Sequence, residues 1–449
     1  MQDLTPFEPL YTAEEMKAAE AGHDVPTLME RAGRAVAEEV LRRFPGARSF
    51  GAVCGGGANG GDGRIALEVL RAAGRTAEEG TAGEVLIDAL FGTGFRGEPR
   101  PDAARLIEEL NASGVPIVAV DVPSGVDADT GEVAGAAVRA AVTVTMHGPK
   151  VGLEVAPGRF HAGQVVVADI GLEPRETVHR LVTPAILGLV PRKRAEANKY
   201  SAGAVLVVGG SPGMTGAVCL TAGAAFRADA GYVTVCAPRE SLPVIESRLL
   251  EAVKRPLEEA FDAAPRHGAL ALGPGLGRSD ERQALVRRLL EETDVPAVVD
   301  ADGLFGLEPF ERSAPAVLTP HAGELGRLLG REPAWVDEHR LEAVREGAER
   351  FGCICLLKGA DTLVAAPGEG VLVSTLGPPA LATAGTGDVL TGVVAAFLAK
   401  GMEPKIAAAA GAAVCSVAAS LGPARGLVAG DVVALLPRAL GDNEGDGTV

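Results

Sequence analysis

Near its C-terminal end the chain reads Ala384-Gly385-Thr386-Gly387-Asp388, followed by an apolar helical run from Val389 through Gly392. Glycine amides at a helix N-terminus can hold the charge of a transferring phosphoryl group. An aspartate beside them can take the proton from an attacking hydroxyl. An N-capping aspartate after a glycine turn is the plainer alternative. No Gly-x-x-x-x-Gly-Lys-Ser/Thr sequence occurs, so P-loop chemistry is excluded. A second constellation lies near the start. Six glycines occur between Cys54 and Gly63, with Ala58, Asn59 and Asp62 among them. Such a strand-to-helix loop exposes backbone N–H groups that suit phosphate.

Two more strand ends join that loop. Asp88 precedes Gly92-Thr93-Gly94-Phe95-Arg96-Gly97-Glu98, and Asp121-Val-Pro-Ser124-Gly125 follows a third strand. Gly92, Gly94 and Gly97 have dinucleotide-fingerprint spacing, but Pro99 and Pro101 delay the helix that fingerprint needs at once. Polar residues at adjacent carboxyl ends of parallel strands mark where open α/β sheets bind ligands. Asn59, Asp88, Asp121 and Ser124 thus form one oxygen-rich site. Asp88 alone would read equally well as a loop acid.

The second half carries its own set of Gly-rich strand ends: Gly209 to Ala217, Gly273 to Gly277, Asp300-Ala-Asp302-Gly, Thr319-Pro-His321-Ala-Gly-Glu324 and Lys358-Gly359-Ala360-Asp361-Thr362. Alone, His321 reads as a helix-start residue; within this set it reads as a ligand contact. The chain has only 8 Lys against 34 Arg, so lysines inside Gly motifs (Lys150, Lys199, Lys358) stand out. Lys358 reads as a nucleotide phosphate contact. Cys353 and Cys355 alternate along a strand and read as core.

These residues need elements to position them. Helical sequence from Thr12 to Phe44, broken near Gly22 to Pro26, precedes strand-like runs at 49–54, 84–90, 116–120 and 141–146, with helices at 63–73 and 103–111 between them. A further run covers 164–169. Residues 172–200 carry Pro174, Pro184, Pro191 and Arg192-Lys193-Arg194 and read as a linker or domain edge. Alternation then restarts at 204–208 and continues to a helix-rich end from Gly387. Strands alternating with helices predict a mainly parallel sheet in each half.

The 449 residues carry a net charge of −17 with no basic block, which excludes a duplex nucleic-acid footprint. Six scattered cysteines, no CxxC pair and an acidic start predict a reduced, cytoplasmic protein. The Ala-rich run 406–421 reads as a packed helix, so no membrane partner is expected. A homo-oligomer is the expected assembly.

The three N-terminal blocks, with Gly148-Pro149-Lys150 and Gly152-Leu153, resemble the NAD(P)H-hydrate epimerase domain. The resemblance implies a Rossmann-like three-layer α/β/α domain over 1–178. It implies a potassium ion on Asn59, Asp88 and Ser124, and substrate contacts from Ala58, Asn59, Gly60, Gly61, Asp62, Gly92 to Glu98 and Asp121. Asp121 is the acid/base candidate nearest the ring. Two departures stand out: Ala58 replaces a family Asn, and only 25 residues separate Asp62 from Asp88, where the family has room for another strand–helix pair. The second set of motifs, with Asn198-Lys199, resembles the ADP/ATP-dependent NAD(P)H-hydrate dehydratase, a ribokinase-like α/β domain expected over 183–441. That implies hydrate contacts from Ala217, Gly277, His321 and Asp388, with Asp388 catalytic. Nucleotide contacts are implied for Lys358, Gly359, Ala360, Asp361, Thr362, Gly385, Thr386 and Gly387. ADP or ATP with Mg2+ would supply the phosphoryl group. The expected function is repair of hydrated nicotinamide nucleotides: epimerisation of R and S hydrates, then dehydration of the S form. The rival readings are a dehydratase with a non-catalytic first domain, a ribokinase-like small-molecule kinase, and a non-catalytic nucleotide sensor.

Overall fold

The computed structural model describes residues 5–441. The chain divides into two compact units. One holds Pro9–Arg180 with Asp337–Leu341; the other holds the remainder. This departs from the expected division in two places. Residues up to Glu8 cluster with the C-terminal unit because the strand β1 (Phe7–Leu10) joins that unit's sheet. Asp337–Leu341 cluster with the N-terminal unit.

The N-terminal unit is built on six parallel strands: β2 (Ser49–Cys54), β3 (Thr76–Glu79), β4 (Val85–Ala89), β5 (Ile117–Val120), β6 (Val142–Met146) and β7 (Gln164–Ala168). Their spatial order is β3-β2-β4-β5-β6-β7. Strands β4, β5 and β6 are buried along their full length, as expected for a parallel sheet covered on both faces. The helices Val25–Arg43 and Ala58–Ala72 pack one face with Val36, Val40, Leu67 and Leu70. The helix Pro101–Ala112 covers the other through Ile107 and Leu110. A preceding helix, Ala13–Glu20, is started by a capping box. The Thr12 hydroxyl accepts from the Glu15 N–H (3.3 Å), and the Glu15 carboxylate accepts from the Thr12 N–H (2.8 Å).

The short stretch after Asp62 has a simple structural consequence. It keeps a strand, β3, which sequence reading missed, but no helix joins β3 to β4. Parallel strands ordinarily need a crossover of a dozen or more residues; here residues 80–84 carry the chain from β3 across β2 to β4. They run directly over β2 at Gly51, where a Cβ would sit 2.7 Å from the carbonyl oxygens of Gly80 and Ala82. Only glycine at 51 admits so tight a crossing.

In the C-terminal unit follow β8 (His179–Val182), β9 (Ala204–Val208), β10 (Tyr232–Ala237), β11 (Val253–Pro256), β12 (Ala269–Leu272), β13 (Ala297–Val299), β14 (Ala316–Leu318), β15 (Ile354–Leu357), β16 (Thr362–Ala365) and β17 (Leu372–Ser374). The order is β1-β8-β17-β16-β15-β14-β13-β12-β9-β10-β11. From β15 to β11 neighbours are parallel; β15-β16-β17 is an antiparallel meander. The expected linker therefore contains β8 and a short 3-10 helix, Pro184–Leu189. The helices Thr215–Arg227, Thr386–Ala399 and Pro404–Ser420 pack one face of this sheet in an Ala/Val-rich core. The Ala-rich run is thus a packed helix. Among the described residues no helix is long and apolar enough to cross a membrane.

Candidate functional sites

In the N-terminal unit, the carboxyl ends of β2, β4, β5 and β6 open onto a cavity of about 990 Å³. Ala58, Asn59, Asp62, Asp121 and the stretch Gly92 to Arg96 with Glu98 line it. Asp121 sits at φ 65°, a left-handed conformation that Asp tolerates better than most residues. That kink delivers the carboxylate to three donors on one oxygen. Lys150 Nζ lies 2.5 Å from Asp121 Oδ1, while the Met146 N–H and Thr145 hydroxyl each donate at 3.2 Å. The Lys150 side chain is fully buried and also donates to the Met146 carbonyl (2.8 Å) and the Thr145 hydroxyl (3.0 Å). Lys150 stood out in the sequence but was given no role there; the structure pairs it with Asp121. Its signal was its rarity.

The six-glycine loop is partly corrected. The helix begins at Ala58, so Asn59 to Asp62 form its first turn and not a free loop. Sequence reading placed the start later because glycine is a poor helix former. The glycines at 60 and 61 serve close packing: a Cβ at Gly60 would meet the Gly55 carbonyl oxygen at 1.9 Å, and one at Gly61 would meet Met29 Cε at 2.1 Å. Gly60, Gly61 and Gly97 lie off the cavity wall, whereas Gly55, Gly56 and Gly57 line it.

Asp88 is fully buried beneath this cavity. It accepts from the Ser124 hydroxyl (2.6 Å) and the Ser124 N–H (2.8 Å), and Asn59 Nδ2 donates to the Phe91 carbonyl (2.7 Å). Burial pushes the Asp88 carboxyl up to about 6, against the hydrogen bonds from Ser124. The Asp88 carboxylate, the Ser124 hydroxyl and the Phe91 carbonyl bring three kinds of oxygen together, with only neutral donors bonded to them. That chemistry fits a hard monovalent or divalent cation.

In the C-terminal unit the glycine loops interlock. The Ser211 N–H donates to the Gly275 carbonyl (2.7 Å) and the Ser211 hydroxyl to the Leu276 carbonyl (2.6 Å). A Cβ on Gly275 would touch Met214 and Ala217. The Gly277 N–H donates to Asp302 (2.9 Å). The helix bearing Asp388 starts at Gly385, which adopts φ 91°. It is locked to its neighbour by the Thr221 hydroxyl, which donates to the Asp388 carbonyl (3.0 Å). The helices touch at Gly392, where a Cβ would lie 2.1 Å from the Thr221 carbonyl oxygen.

Lys358 follows β15 and bonds back to the Pro320 carbonyl through its N–H. Its ammonium lies 2.6 Å from Asp300 and 3.9 Å from Glu324. Thr391 donates to the other Asp300 oxygen (2.8 Å), and Gly387 faces both Lys358 and Asp300. Burial raises Asp300, but the Lys358 charge and these hydrogen bonds outweigh it and hold the carboxyl low. Asp388 is pushed up to about 6 by burial and then by the Asp300 and Asp302 charges, against Lys358. His321 serves as a helix cap: Nδ1 accepts from the Gly323 N–H (3.0 Å), leaving Nε2 on an exposed ring. Gly359 and Ala360 form the exposed tip of the β15–β16 hairpin, with Asp361 buried and Thr362 opening β16. The Thr386 hydroxyl turns back to the Leu381 and Thr383 carbonyls. Gly387 and Asp388 stand beside Lys358, which pairs with His321 across an isolated strand bridge, while Gly277 is tied to Asp302 and Ala217 packs against Gly275. Asp300, Asp302 and Glu324 were quoted within motifs but given no role. Three carboxylates (Asp300, Glu324, Asp388) face one lysine, formally minus two, a balance that fits a phosphate-bound dication.

Comparison with known proteins agrees with both halves. A family model described as NAD(P)H-hydrate dehydratase matches residues 205–438. One described as YjeF-related protein N-terminus matches 25–79 and 75–152, its two segments meeting where this chain is short. The bifunctional NAD(P)H-hydrate repair enzyme of Moorella thermoacetica is 37% identical over 510 aligned positions, covering 96% of each chain. That of Salinibacter ruber is 36% identical, covering 98% of this chain and 97% of its own. Among solved structures, the ADP/ATP-dependent NAD(P)H-hydrate dehydratase from Bacillus subtilis, co-crystallised with ATP and Mg2+, superposes with a TM-score of 0.54 at 29% identity, over 57% of this chain and 96% of its own. A ribokinase-like superfamily protein from Enterococcus faecalis superposes with a TM-score of 0.53 at 23% identity, over 60% of this chain and 97% of its own, and shares the fold. With two units, two strand-end sites and relatives aligned along nearly its whole length, the chain belongs to the bifunctional NAD(P)H-hydrate repair enzyme family.

Proposed function

We propose that the C-terminal site dehydrates the S form of hydrated NADH or NADPH at the expense of ADP or ATP, and that the N-terminal cavity interconverts the R and S forms. The observation that carries the first half is the Asp388 carboxylate at the N-terminus of a Gly385-capped helix, its proton affinity tuned to about 6. Near neutral pH most of it is ionised yet basic enough to accept a hydroxyl proton. Asp388 takes the proton from the ring hydroxyl, which attacks the terminal phosphoryl group. The Gly385 to Gly387 amides face the developing charge. Phosphate then leaves in place of hydroxide and the dihydropyridine is restored. Asp300 holds Lys358 in place beside Gly387. The hairpin residues Gly359 to Thr362, with Lys358 and Thr386, bind the nucleotide, and Ala217, Gly277 and His321 hold the hydrate. Mg2+ bound with the nucleotide supplies charge neutralisation at the phosphates, with Asp300, Glu324 and Asp388 as the nearby acids.

In the N-terminal cavity, Asp121 moves the proton of the hydroxyl on the hydrated carbon while Asn59 and the Gly92 to Glu98 loop hold the nucleotide. Asp88, Ser124 and Asn59 would hold a potassium ion, which supplies fixed positive charge beneath the substrate. Among the described residues, none of 73–84 lines the cavity, so the proposed substrate contacts all come from outside the compressed β3–β4 crossover. The six cysteines are free thiols, in keeping with a reducing cytoplasm. The test is a mixture of R and S NADH hydrate supplied with ADP or ATP, following the absorbance of restored NADH. Complete recovery is expected with one donor. No recovery with either would refute the dehydratase reading; rapid recovery of the S portion alone would refute the epimerase reading.

A further inference from the structure

Asp62 stands out among the charged groups of the N-terminal cavity. It is 8% exposed, it lines the cavity wall, and its Oδ1 is buried with no hydrogen-bond partner. An ionised carboxylate in that position would be desolvated without a donor, which is costly, so the group takes a proton instead. The surroundings enforce this from every side. The helix Val25–Arg43 presents only apolar side chains to the cavity here, Val25, Leu28, Met29 and Ala32. The helix Ala13–Glu20 contributes Glu20, and the loop after β5 contributes Asp121, both negative. The cavity is also lined by Arg96, bound to Asp127 and Asp129, and by Arg100, Glu98 and Asp102, while Lys150 is bound to Asp121; the charges that act on Asp62 are those of Asp121 and Glu20. Burial, then Asp121, then Glu20 push the Asp62 carboxyl up to about 8. Asp121 has a different setting, paired with an ammonium through Oδ1, and among the described residues no donor reaches its Oδ2. One carboxyl left without a donor and one held by three donors are placed for the separate roles of acid and base.

We propose that Asp62, the cavity carboxyl without a hydrogen-bond partner at Oδ1, is a catalytic acid of the epimerisation, working with the Lys150-paired Asp121 as base. The inference rests on the epimerase reading above. The hydrated ring carbon is a hemiaminal, bonded to a hydroxyl and to the ring nitrogen. Asp121 takes the hydroxyl proton, and the O–H electrons become the C=O bond. The carbon–nitrogen bond breaks, and its electron pair, left on nitrogen, takes the proton of Asp62. Rotation about the adjacent carbon–carbon bond turns the other face of the aldehyde to the nitrogen. The nitrogen attacks and returns its proton to Asp62, while Asp121 returns its proton to oxygen. Nothing is oxidised or reduced, and both carboxyls end as they began.

The test uses the full chain without nucleotide, following R-to-S conversion by chromatography, with thermal unfolding of each variant as the folding control. Asp62→Asn is expected to lower kcat about 100-fold or more, with KM changed less than about threefold. Asp62→Glu should recover part of the loss. The wild-type kcat should fall on an alkaline limb that Asp62→Asn lacks. Carbon NMR of the aspartate carboxyls should show one group, lost in Asp62→Asn, still protonated at neutral pH. Unchanged kcat with raised KM in Asp62→Asn, or an Asp62 resonance already ionised below pH 6, overturns the inference while leaving the epimerase reading intact. A wild-type chain that does not speed R-to-S conversion overturns both.

Discussion

Each unit contains a lysine paired with an aspartate at the carboxyl end of its sheet, at nearly the same distance: Lys150 to Asp121 at 2.5 Å and Lys358 to Asp300 at 2.6 Å. The pairs are used differently. Asp121 is partly exposed to its cavity, so the paired carboxylate itself faces the substrate space. Asp300 is sealed, held by Lys358 and Thr391, and a second carboxyl, Asp388, stands at the opening. In the first site the ammonium settles the working group directly. In the second it settles a neighbour whose charge raises the working group. The difference follows from the chemistry proposed for each. Reversible opening of a hemiaminal calls for a base at its hydroxyl and an acid at its nitrogen. Phosphoryl transfer calls for one poised base and an electropositive helix end.

The largest separation between the sites is expected from their working acids. Asp388→Asn should lower dehydration by about 10³-fold while nucleotide binding and R-to-S conversion persist. Normal turnover in that variant would remove Asp388 as the base. Removing each lysine comes next. Lys358→Met leaves Asp300 buried without its counter-charge and should cost about 3–5 kcal/mol in urea unfolding. Lys150→Met should cost less, because Asp121 can draw on the cavity for solvation. Equal losses would erase the contrast drawn above.

The pH dependence sharpens it further. Dehydration should fall about tenfold per pH unit below pH about 6, where Asp388 is protonated. Asp300→Asn removes a raising charge and should shift that limb to lower pH; an unmoved limb would show that Asp300 does not tune the base. For stability the sign is fixed by the raised carboxyls. Asp62 holds its proton longer folded than unfolded, so its contribution is complete below the ordinary Asp range and is lost as pH rises through about 8. The unfolding temperature of wild type should therefore drop between pH 5 and pH 9 by more than that of Asp62→Asn. The smallest effects are packing ones. Gly392→Ala and Gly51→Ala should each cost about 1–3 kcal/mol, the first across the Thr221 helix and the second at the five-residue crossover.

Much of this was legible in the sequence. Buried parallel strands are short apolar runs, so β2, β9 and β12 appear with their observed ends, and polar residues directly after them mark both sites. What was hidden depended on distance or on glycine. The Lys150–Asp121 pair spans 29 residues and leaves no periodic trace. The helix start at Ala58 was masked because glycines at 60 and 61, chosen for close packing, read as loop. The antiparallel β16 and β17 are four- and three-residue segments lying between the Lys358 motif and the helix-rich end, too short to show a pattern of their own. Strand β3 was hidden because Thr76-Ala-Glu-Glu carries no apolar run; it is an edge strand, exposed except at Ala77. Asp300 was visible as a strand-end acid, but its burial beneath Lys358 was not.

The central claim is that two independent sites in one chain act in succession on the same damaged nucleotide. The most direct measurement follows NADH restored from mixed R and S hydrate, with ADP or ATP, by wild type, by Asp388→Asn, by Asp121→Asn and by an equimolar mixture of the two variants. Wild type should restore everything, Asp388→Asn nothing, and Asp121→Asn only the S portion quickly. The mixture should again restore everything, because each variant supplies the site the other lacks. Full, rapid recovery by Asp121→Asn alone, or a mixture that still stalls after the S portion, would contradict the account.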